Sequence, residues 1–389
     1  MRKFAAIFAF VYLVACSSSE TGTPASTADS PHISTPITTQ VSLPATDTPA
    51  PTSTPTAVPT AIGGGAGKIA FTSEQDGYPE IYVINADRSG LIKLVNNITP
   101  KYEPSWSPDG KKIAFGTNDN ESASLYIMNA DGSNPVKLID TNDISTYDSA
   151  TSDWRFEVSP LWSPDGTRIA FEVSYYIGCC SSNGYIHLVN ADGSGLVGST
   201  AIPIWERFTW SPDSKKITLG SSCGGWGICV MNADGTNLTN LTKSSSIDTR
   251  PIWSPDGQRI AFGSNRNGTR DIFVMNADGT NMVDLTNNNN ATDSSPVWSP
   301  DGEKIVFTAV WDDGSAIFVM NADGTNLINL TSTHPAGGRN MVWSPDGTKI
   351  AFVSDIDDTS EIYVVDADGS NVVRLTNNDV NDNSPVWSP

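Results

Sequence analysis

Residues 253–262 read Trp-Ser-Pro-Asp-Gly-Gln-Arg-Ile-Ala-Phe, and residues 272–279 read Ile-Phe-Val-Met-Asn-Ala-Asp-Gly. Both stretches return along most of the 389-residue chain, so a repeat decides the fold. Copies of Trp-Ser-Pro begin at Trp106, Trp162, Trp210, Trp253, Trp298, Trp343 and Trp387. Most of their spacings are about 45 residues, which is the length of a unit of four short strands.

Three further elements accompany the Trp-Ser-Pro copies. Lys-Ile-Ala-Phe or a relative is centred on Ile113, Ile169, Ile217, Ile260, Ile305 and Ile350, and a seventh copy at residues 68–71 has no Trp-Ser-Pro before it. The Asn-Ala-Asp-Gly element places its first residue at Asn85, Asn129, Asn190, Asn232, Asn276, Asn321 and Asp366. An element of the Leu-Thr type closes most copies, as at residues 241–242 and 375–376.

Each copy predicts four short antiparallel strands. The Ile-Ala-Phe and Ile-Phe-Val-Met pieces are β-branched and aromatic, and turn residues bound them. Ser-Pro-Asp-Gly between the first two strands fits a type I turn, because proline fixes φ at the second position. Asn-Ala-Asp-Gly between the last two fits a hairpin whose glycine tolerates positive φ. Near-continuous apolar strands predict burial on both faces, as in blades stacked around an axis.

The two ends of the repeat region complete each other. Residues 385–389 supply a first strand without a second, and residues 67–71 supply a second strand without its first. The chain is therefore expected to be all-β, a single seven-bladed β-propeller of four-stranded antiparallel blades. The C-terminal strand would complete the N-terminal blade and close the ring, leaving no open edge. A truncated open array is the alternative.

The Trp-Ser-Pro-Asp-Gly, Lys-Ile-Ala-Phe and Asn-Ala-Asp-Gly blocks resemble the repeats of the TolB-type β-propeller family. Similar repeats occur in the propellers of prolyl oligopeptidase relatives and of tricorn protease. The resemblance covers residues 67–389. It implies the fold more strongly than a function, because one fold hosts many activities. The periplasmic TolB protein itself has six blades and an extra N-terminal domain, whereas this chain shows seven copies.

The first residues predict export. Arg2 and Lys3 precede an apolar run, residues 4–14, that is too short to span a bilayer, and Cys16 follows it. An ordinary signal peptide would explain the charge and the apolar run but not the cysteine. The segment resembles the bacterial lipoprotein signal, which implies a signal peptide over residues 1–15 and lipid attached to Cys16. We expect an extracytoplasmic protein bound to a bacterial membrane through this anchor alone.

Residues 17–66 contain no Phe, Trp, Tyr, Lys or Arg and are rich in Thr, Ser, Ala and Pro. Such a segment cannot bury enough apolar surface to fold, so residues 16–66 are expected to form a disordered tether, with the propeller at residues 67–389. The formal net charge of −20 argues against a nucleic-acid partner, whose phosphates require Lys and Arg. The folded part is expected to be a monomer.

The two faces of the predicted ring differ in sequence. Loops joining strands 1 to 2 and 3 to 4 share one face and are nearly identical between copies. Loops joining strands 2 to 3, and strand 4 to the next blade, share the other face and vary in length and chemistry. The longest runs from Asp140 to Val158. Exposed aromatic and arginine side chains mark recognition surfaces. The alternative is that this long loop only packs on its neighbours.

Candidate ligand-binding residues lie in these loops and at the position three residues before each motif tryptophan. At that position the inner strand of each blade is expected to start, at the mouth of the central channel. They are Trp154, Arg155, Tyr175, Tyr176, Trp205, Arg207, Arg250 and Glu103. Arg207 and Arg250 fall in adjacent blades, where they could receive a carboxylate. We expect the partner to be a protein, a peptide or a glycan.

Four cysteines lie in the folded part, and export makes them disulfide candidates. Cys223 and Cys229 flank a short glycine-rich hairpin and are expected to pair with each other. Pairing across blades with Cys179 or Cys180 is the alternative.

No catalytic constellation is found. Residues 220–224 match the nucleophile-elbow pattern but lie at the end of a repeat strand, without the strand-to-helix context. Seven-bladed oligogalacturonate lyases resemble this propeller and use a histidine-rich metal site, whereas this chain has three scattered histidines. We expect no cofactor. The acidic loops at residues 311–314 and 355–358 could hold Ca²⁺ but lack the spacing of a calcium loop. A propeller-face polysaccharide lyase or hydrolase remains the alternative function.

Overall fold

The structure is a computed structural model. It describes residues 67–95, 100–118, 122–144, 154–177, 181–198, 204–221, 223, 226–287, 291–312, 314–331, 337–355 and 359–389. All of them belong to one compact unit, Ala61–Pro389. No helix among these residues is long and apolar enough to cross a membrane.

The first three strands belong to the last blade of the ring. They are β1 (Lys68–Ser73), β2 (Glu80–Asn85) and β3 (Ile92–Lys93). Blade 1 consists of β4 (Lys101–Trp106), β5 (Lys112–Asn118), β6 (Ala123–Asn129) and β7 (Val136–Asp140), followed by a 3-10 turn at Thr141–Asp143. Blade 2 consists of β8 (Trp154–Trp162), β9 (Arg168–Ile177), β10 (Ser181–Asn190) and β11 (Val197–Gly198).

The next four blades repeat this order. Blade 3 consists of β12 (Ile204–Trp210), β13 (Lys216–Ser221), β14 (Gly227–Asn232) and β15 (Thr239–Asn240). Blade 4 consists of β16 (Asp248–Trp253), β17 (Arg259–Asn267), β18 (Thr269–Asn276) and β19 (Val283–Asp284). Blade 5 consists of β20 (Thr292–Trp298), β21 (Lys304–Trp311), β22 (Gly314–Asn321) and β23 (Ile328–Asn329). Blade 6 consists of β24 (Gly338–Trp343), β25 (Lys349–Ser354), β26 (Glu361–Asp366) and β27 (Val373–Arg374).

Blade 7 closes the ring. The C-terminal strand β28 (Asp382–Trp387) pairs antiparallel with β1, and this sheet has the order β28-β1-β2-β3. Trp387 lies opposite Ile69, and the Ser388 amide donates to the carbonyl of Lys68 at 2.8 Å. The predicted seven-bladed all-β propeller, with its two chain ends joined in one blade, is confirmed.

The core lies between neighbouring blades. The Ile-Ala-Phe residues of each second strand are almost fully buried, and in six blades the aromatic side chain stacks on an aromatic ring of the third strand. Phe115 and Tyr126, for example, have ring centroids 5.6 Å apart. Cross-strand aromatic pairs of this kind stabilise a sheet beyond the area they bury. Blade 3 differs, because Leu219 lies opposite Cys229 there.

The motif tryptophans join consecutive blades. All seven are buried, and four donate the indole N–H to a backbone carbonyl of the preceding blade: Trp210 to Leu161, Trp298 to Ile252, Trp343 to Val297 and Trp387 to Val342. Each hydrogen bond of this kind contributes about 1 kcal/mol. The indole N–H groups of Trp106, Trp162 and Trp253 have no partner within the described part of the chain.

Candidate functional site

One face of the ring carries the turns between strands 1 and 2 and between strands 3 and 4; we call it the turn face. In the first of these turns the same hydrogen bonds recur, as where Ser107 Oγ donates to Asp109 Oδ1 at 2.7 Å. The turn glycines have positive φ, for example 67° at Gly110. Ser214 occupies the glycine position in blade 3 with φ 59°. Uniform chemistry on this face is thus explained by turn geometry.

These turns also hold their carboxyl groups in the ionised form. The hydroxyl of Ser344 donates to Asp346 and, with the amide of Thr348, keeps the pKa of Asp346 below its ordinary value. The hydroxyl of Ser133 does the same for the pKa of Asp131. A groove of about 520 Å³ lies on this face between blades 2 and 3 and includes Asp165, Asp213 and Asp234 in its lining. Its lining is made of repeat turns, so nothing in it is particular to one ligand.

The opposite face, which we call the variable-loop face, is shaped mainly by blade 2. Its first three strands have nine, ten and ten residues, longer than their counterparts in every other blade. Arg155 lies opposite Tyr176, and Trp154 lies opposite Ile177. Gly184 on β10 pairs with Ile204 on β12, which joins blades 2 and 3 into one eight-stranded sheet. The two blades form a continuous platform on this side of the ring.

The prediction of a loop from Asp140 to Val158 is wrong at its C-terminal end. Trp154, Arg155 and Phe156 belong to β8, because they pair with an equally extended β9. Residues 145–153 lie outside the described part of the chain. The sequence signal for the longer strand was the pair Tyr175-Tyr176, because aromatic residues are common in strands. Both residues were expected in a variable loop and instead belong to β9.

Five of the predicted binding residues are described by their backbone alone. These are Trp154, Arg155, Tyr175, Tyr176 and Trp205, which lie on β8, β9 and β12 around the platform of blades 2 and 3. Their side chains lie outside the part of the chain that the structure describes. Cys179 and Cys180 also lie outside the described residues.

The inner strands carry a bulge at the predicted channel position. Six of the seven shift register there against the second strand, and that of blade 2 does not. Positive φ occurs at five residues of this position: Glu103 (48°), Arg250 (51°), Ser295 (59°), Asn340 (53°) and Ser384 (54°). A bulge re-aims side chains and is common next to functional sites. Blade 2 therefore departs from the repeat at the mouth of the channel as well as at its loops.

Side chains at this position meet each other around the axis. Ser384 Oγ of blade 7 donates to Glu103 Oε1 of blade 1 at 2.8 Å. Arg207 Nη2 of blade 3 lies 3.6 Å from Glu103 Oε2. Arg250 Nη1 donates to Ser295 Oγ of blade 5 at 3.0 Å. Arg207 and Arg250 were predicted to bind one carboxylate of a ligand together. Each instead contacts a different residue of the ring, and the carboxylate beside Arg207 belongs to Glu103 of the protein itself.

Glu172 on β9 was missed by the sequence analysis. It lies opposite Ser159, and Ser174 Oγ donates to its Oε1 at 2.7 Å. Burial raises the pKa of Glu172, and the nearby Glu103 and Glu157 raise it further, while the Ser174 hydroxyl and Arg207 oppose the increase. A Cβ at Gly184 would collide with this carboxyl group. The available signal was the repeat itself, since the equivalent residues are uncharged: Thr72, Gly116, Gly220, Gly263, Thr308 and Val353.

Cys223 and Cys229 form a disulfide with their Cα atoms 6.5 Å apart. The bond spans the hairpin between β13 and β14 on the variable-loop face, and Cys229 fills the buried site that an aromatic residue takes in most blades. Trp226 lies inside the hairpin with 44% of its surface exposed. Trp311, in contrast, packs edge-on against Phe318 at 5.9 Å.

The residues considered for metal ions are dispersed. Asp355 accepts hydrogen bonds from Arg339 and Ser360, while residues 313 and 356–358 lie outside the described part of the chain. His187 is buried against Phe171, and His334 is outside the description. Within the described ranges, no three His, Cys, Asp or Glu side chains are grouped so that they could hold a metal ion.

Comparison with known proteins adds a family and several structures. The family model described as the TolB beta propeller domain matches residues 146–295 and 284–389, more than half of the chain. Puromycin hydrolase superposes with a TM-score of 0.62 at 13% identity, over 84% of this chain and 55% of its own. An oligogalacturonate lyase in complex with manganese superposes with a TM-score of 0.59 at 14% identity, over 76% of this chain and 85% of its own. TolB from Acinetobacter baumannii superposes with a TM-score of 0.53 at 16% identity, over 83% of this chain and 67% of its own. At these identities the similarity concerns the fold alone.

Proposed function

Because this chain belongs to the TolB β-propeller family, we propose that it is an extracytoplasmic binding or scaffold protein that recognises a protein, peptide or glycan on its variable-loop face. Propellers present loops from several blades around one axis, so a single ligand can contact several of them. The proposed site covers blades 2 to 4 and the channel mouth.

The observation that carries the proposal is the departure of blade 2 from the repeat. Its strands are lengthened, its inner strand lacks the bulge, and β10 bridges to β12 of blade 3. All of these changes fall on the variable-loop face, whereas the turns of the same two blades on the other face keep the common hydrogen bonds. A structural role alone would not require one face to vary while the other is copied.

The channel mouth gives the site a polar centre. Arg207 is 59% exposed, and its contact with Glu103 is a long surface ion pair worth at most about 1 kcal/mol. A ligand can therefore replace this contact at small cost. The aromatic residues of β8, β9 and β12 would supply the apolar area around it, as is common at recognition surfaces.

The location is part of the proposal. We infer that residues 1–15 are a lipoprotein signal, that Cys16 carries the lipid, and that residues 16–66 hold the propeller away from the membrane. This inference is supported by the charged start, the apolar run and the cysteine that follows it. Metabolic labelling with a radioactive fatty acid tests it, since Cys16→Ser should abolish incorporation.

Catalysis is not favoured by a specific observation. The lyase and the hydrolase share only the fold with this chain, and a fold alone does not transfer an activity. The binding proposal is tested by presenting the purified protein to a glycan array and to envelope extract, followed by titration of any captured ligand. Saturable binding of one glycan or protein supports the proposal, and turnover of the glycan would replace it by the lyase or hydrolase alternative.

A further inference from the structure

The strand that closes the ring begins with a buried carboxyl group. Asp382 is the first residue of β28, is 0% exposed, and lies opposite Ser73 of β1. Asn378 Nδ2 donates to its Oδ2 at 2.9 Å. Its Oδ1 is buried without a hydrogen-bond partner in the described part of the chain. An ionised carboxylate in such a place is unfavourable unless a cation or several donors compensate its charge.

The charged groups around Asp382 do not provide that compensation. Glu361 of β26 is itself buried, and its negative charge further disfavours an ionised Asp382. Arg374 of β27 donates to Glu361 at 2.9 Å. Arg339 of β24 forms its ion pair with Asp355, and Lys101 of β4 binds Glu80 at 2.7 Å.

The hydroxyls of Ser73 and Thr376 and the amide of Asn378 are neutral donors beside Asp382, and the other groups facing this corner are acidic or phenolic. Tyr82 of β2 donates to Asp76 at 2.9 Å, and Glu103 of β4 accepts from Ser384. Every cation on the elements packed against β28 near Asp382 is therefore engaged with another carboxylate.

In two other blades, the residue equivalent to Asp382 has a partner of opposite charge. In blade 4 the equivalent residue is Asp248, which is also buried, but Arg266 lies 2.9 Å from it. In blade 1 the equivalent residue is Lys101, which forms a fully buried ion pair with Glu80. A counter-charge is thus present at the equivalent residues of blades 1 and 4, whereas Asp382 forms no ion pair within the described part of the chain.

We propose that the closing strand is a pH-dependent latch, held more firmly in mildly acidic than in neutral surroundings because Asp382 carries a proton when β28 is docked. Detachment of β28 would return Asp382 to water and release the proton. No oxidant, metal or ligand is needed, and the proposal is independent of the binding function.

The direction follows from linkage. Burial raises the pKa of Asp382 from 3.8 to about 6 although hydrogen bonds from Ser73, Thr376 and Asn378 oppose the increase, and Glu361 adds to it. Between these values the docked strand binds a proton that the detached strand does not, so detachment becomes easier as the pH rises through this window. The opening equilibrium should increase by up to about 100-fold, since each pKa unit is a factor of ten, and should level off above about pH 6.

Local hydrogen–deuterium exchange of the full chain tests the latch. Exchange of peptides from β28 and β1 is compared at about pH 4.5 and pH 7, after correction for the intrinsic rate, with peptides from β21 and β22 of blade 5 as the reference. A local measurement is required because His187 in blade 2 shifts global stability in the opposite direction over the same range. In the wild-type protein, protection of the closing pair should fall by one to two orders of magnitude relative to the reference.

Two variants sharpen the result. Asp382→Asn should remove the pH dependence of the closing pair, while Asp248→Asn in blade 4 should leave it unchanged. Equal relative protection of the wild-type strands at both pH values would overturn the latch, whether or not Asp382→Asn folds. A pH dependence that persists in a folded Asp382→Asn protein would overturn it as well.

Discussion

Arg207 of blade 3 lies 3.6 Å from Glu103 of blade 1, so the two side chains meet across the inner strand of blade 2. Residues of non-adjacent blades can approach this closely only around the ring axis. The contact therefore identifies the position three residues before the motif tryptophan as the lining of the channel mouth. It also shows that the predicted carboxylate receptor already holds a carboxylate of its own.

Arg207→Ala should separate binding from stability. Arg207 is largely exposed and its contact with Glu103 is long, so the free energy of unfolding should change by less than about 1 kcal/mol. Affinity for a ligand of the variable-loop face should nevertheless fall, because a guanidinium at the mouth is lost. Chemical denaturation and calorimetric titration measure the two quantities. A variant that loses stability by several kcal/mol while keeping full affinity would mean that Arg207 only supports the ring.

Removal of residues 384–389 should open the ring. The deletion removes the partners of Ile69 and Ala70 in β1, including Trp387, whose indole N–H donates to the carbonyl of Val342 in blade 6. We expect a large loss in melting temperature or aggregation through the exposed edge. The matched control is Trp387→Phe, which keeps the strand and should cost about 1 kcal/mol for the hydrogen bond, plus a packing change. A soluble deletion variant with wild-type melting contradicts closure.

The ring and its closure could be predicted because residues 68–71 and 385–389 each contain one strand of a strongly patterned blade. The strand positions of Trp154, Arg155 and Phe156 could not, since pairing with an extended β9 leaves no mark in the repeat motif. Glu172 was also missed, because its importance arises from burial beside Arg207. Contacts such as Glu103 with Arg207 depend on how blades turn around the axis, which spacing along one chain does not encode.

The disulfide between Cys223 and Cys229 should appear in peptide maps prepared without reductant. A hairpin of this size loses little entropy when it is closed, so reduction should lower the melting temperature only modestly. Trp226 within the hairpin should become more accessible to a collisional quencher after reduction. Peptides that link Cys223 or Cys229 to Cys179 or Cys180 would instead support pairing across blades.

His187→Phe should remove part of the acid sensitivity of the protein. Burial lowers the pKa of His187 from 6.5 to about 4, and neither ring nitrogen has a hydrogen-bond partner in the described part of the chain. Below about pH 6.5 His187 is protonated in the unfolded chain but not in the folded chain. The free energy of unfolding therefore decreases by about 3 kcal/mol as the pH falls toward 4.

The substitution is matched to the fold, because Phe273 and Phe318 occupy the equivalent positions in blades 4 and 5. Urea denaturation should show that the substitution raises the free energy of unfolding relative to wild type, and that this increase is larger at about pH 4.5 than at about pH 7.5. An equal effect at both values would mean that packing, not protonation, distinguishes the two side chains.

Binding on the variable-loop face is tested most directly by comparing two sets of variants for their affinity toward a ligand found by array or capture. Trp154→Ala and Trp205→Ala change the variable-loop face, and Lys112→Ala and Thr348→Ala change the turn face. We expect a loss of about 2 kcal/mol, roughly 30-fold in affinity, for a variant of the first set that removes a hot spot, with melting temperatures preserved. We expect unchanged affinity for the second set. Equal affinity of both sets for the ligand would contradict the assignment of binding to the variable-loop face.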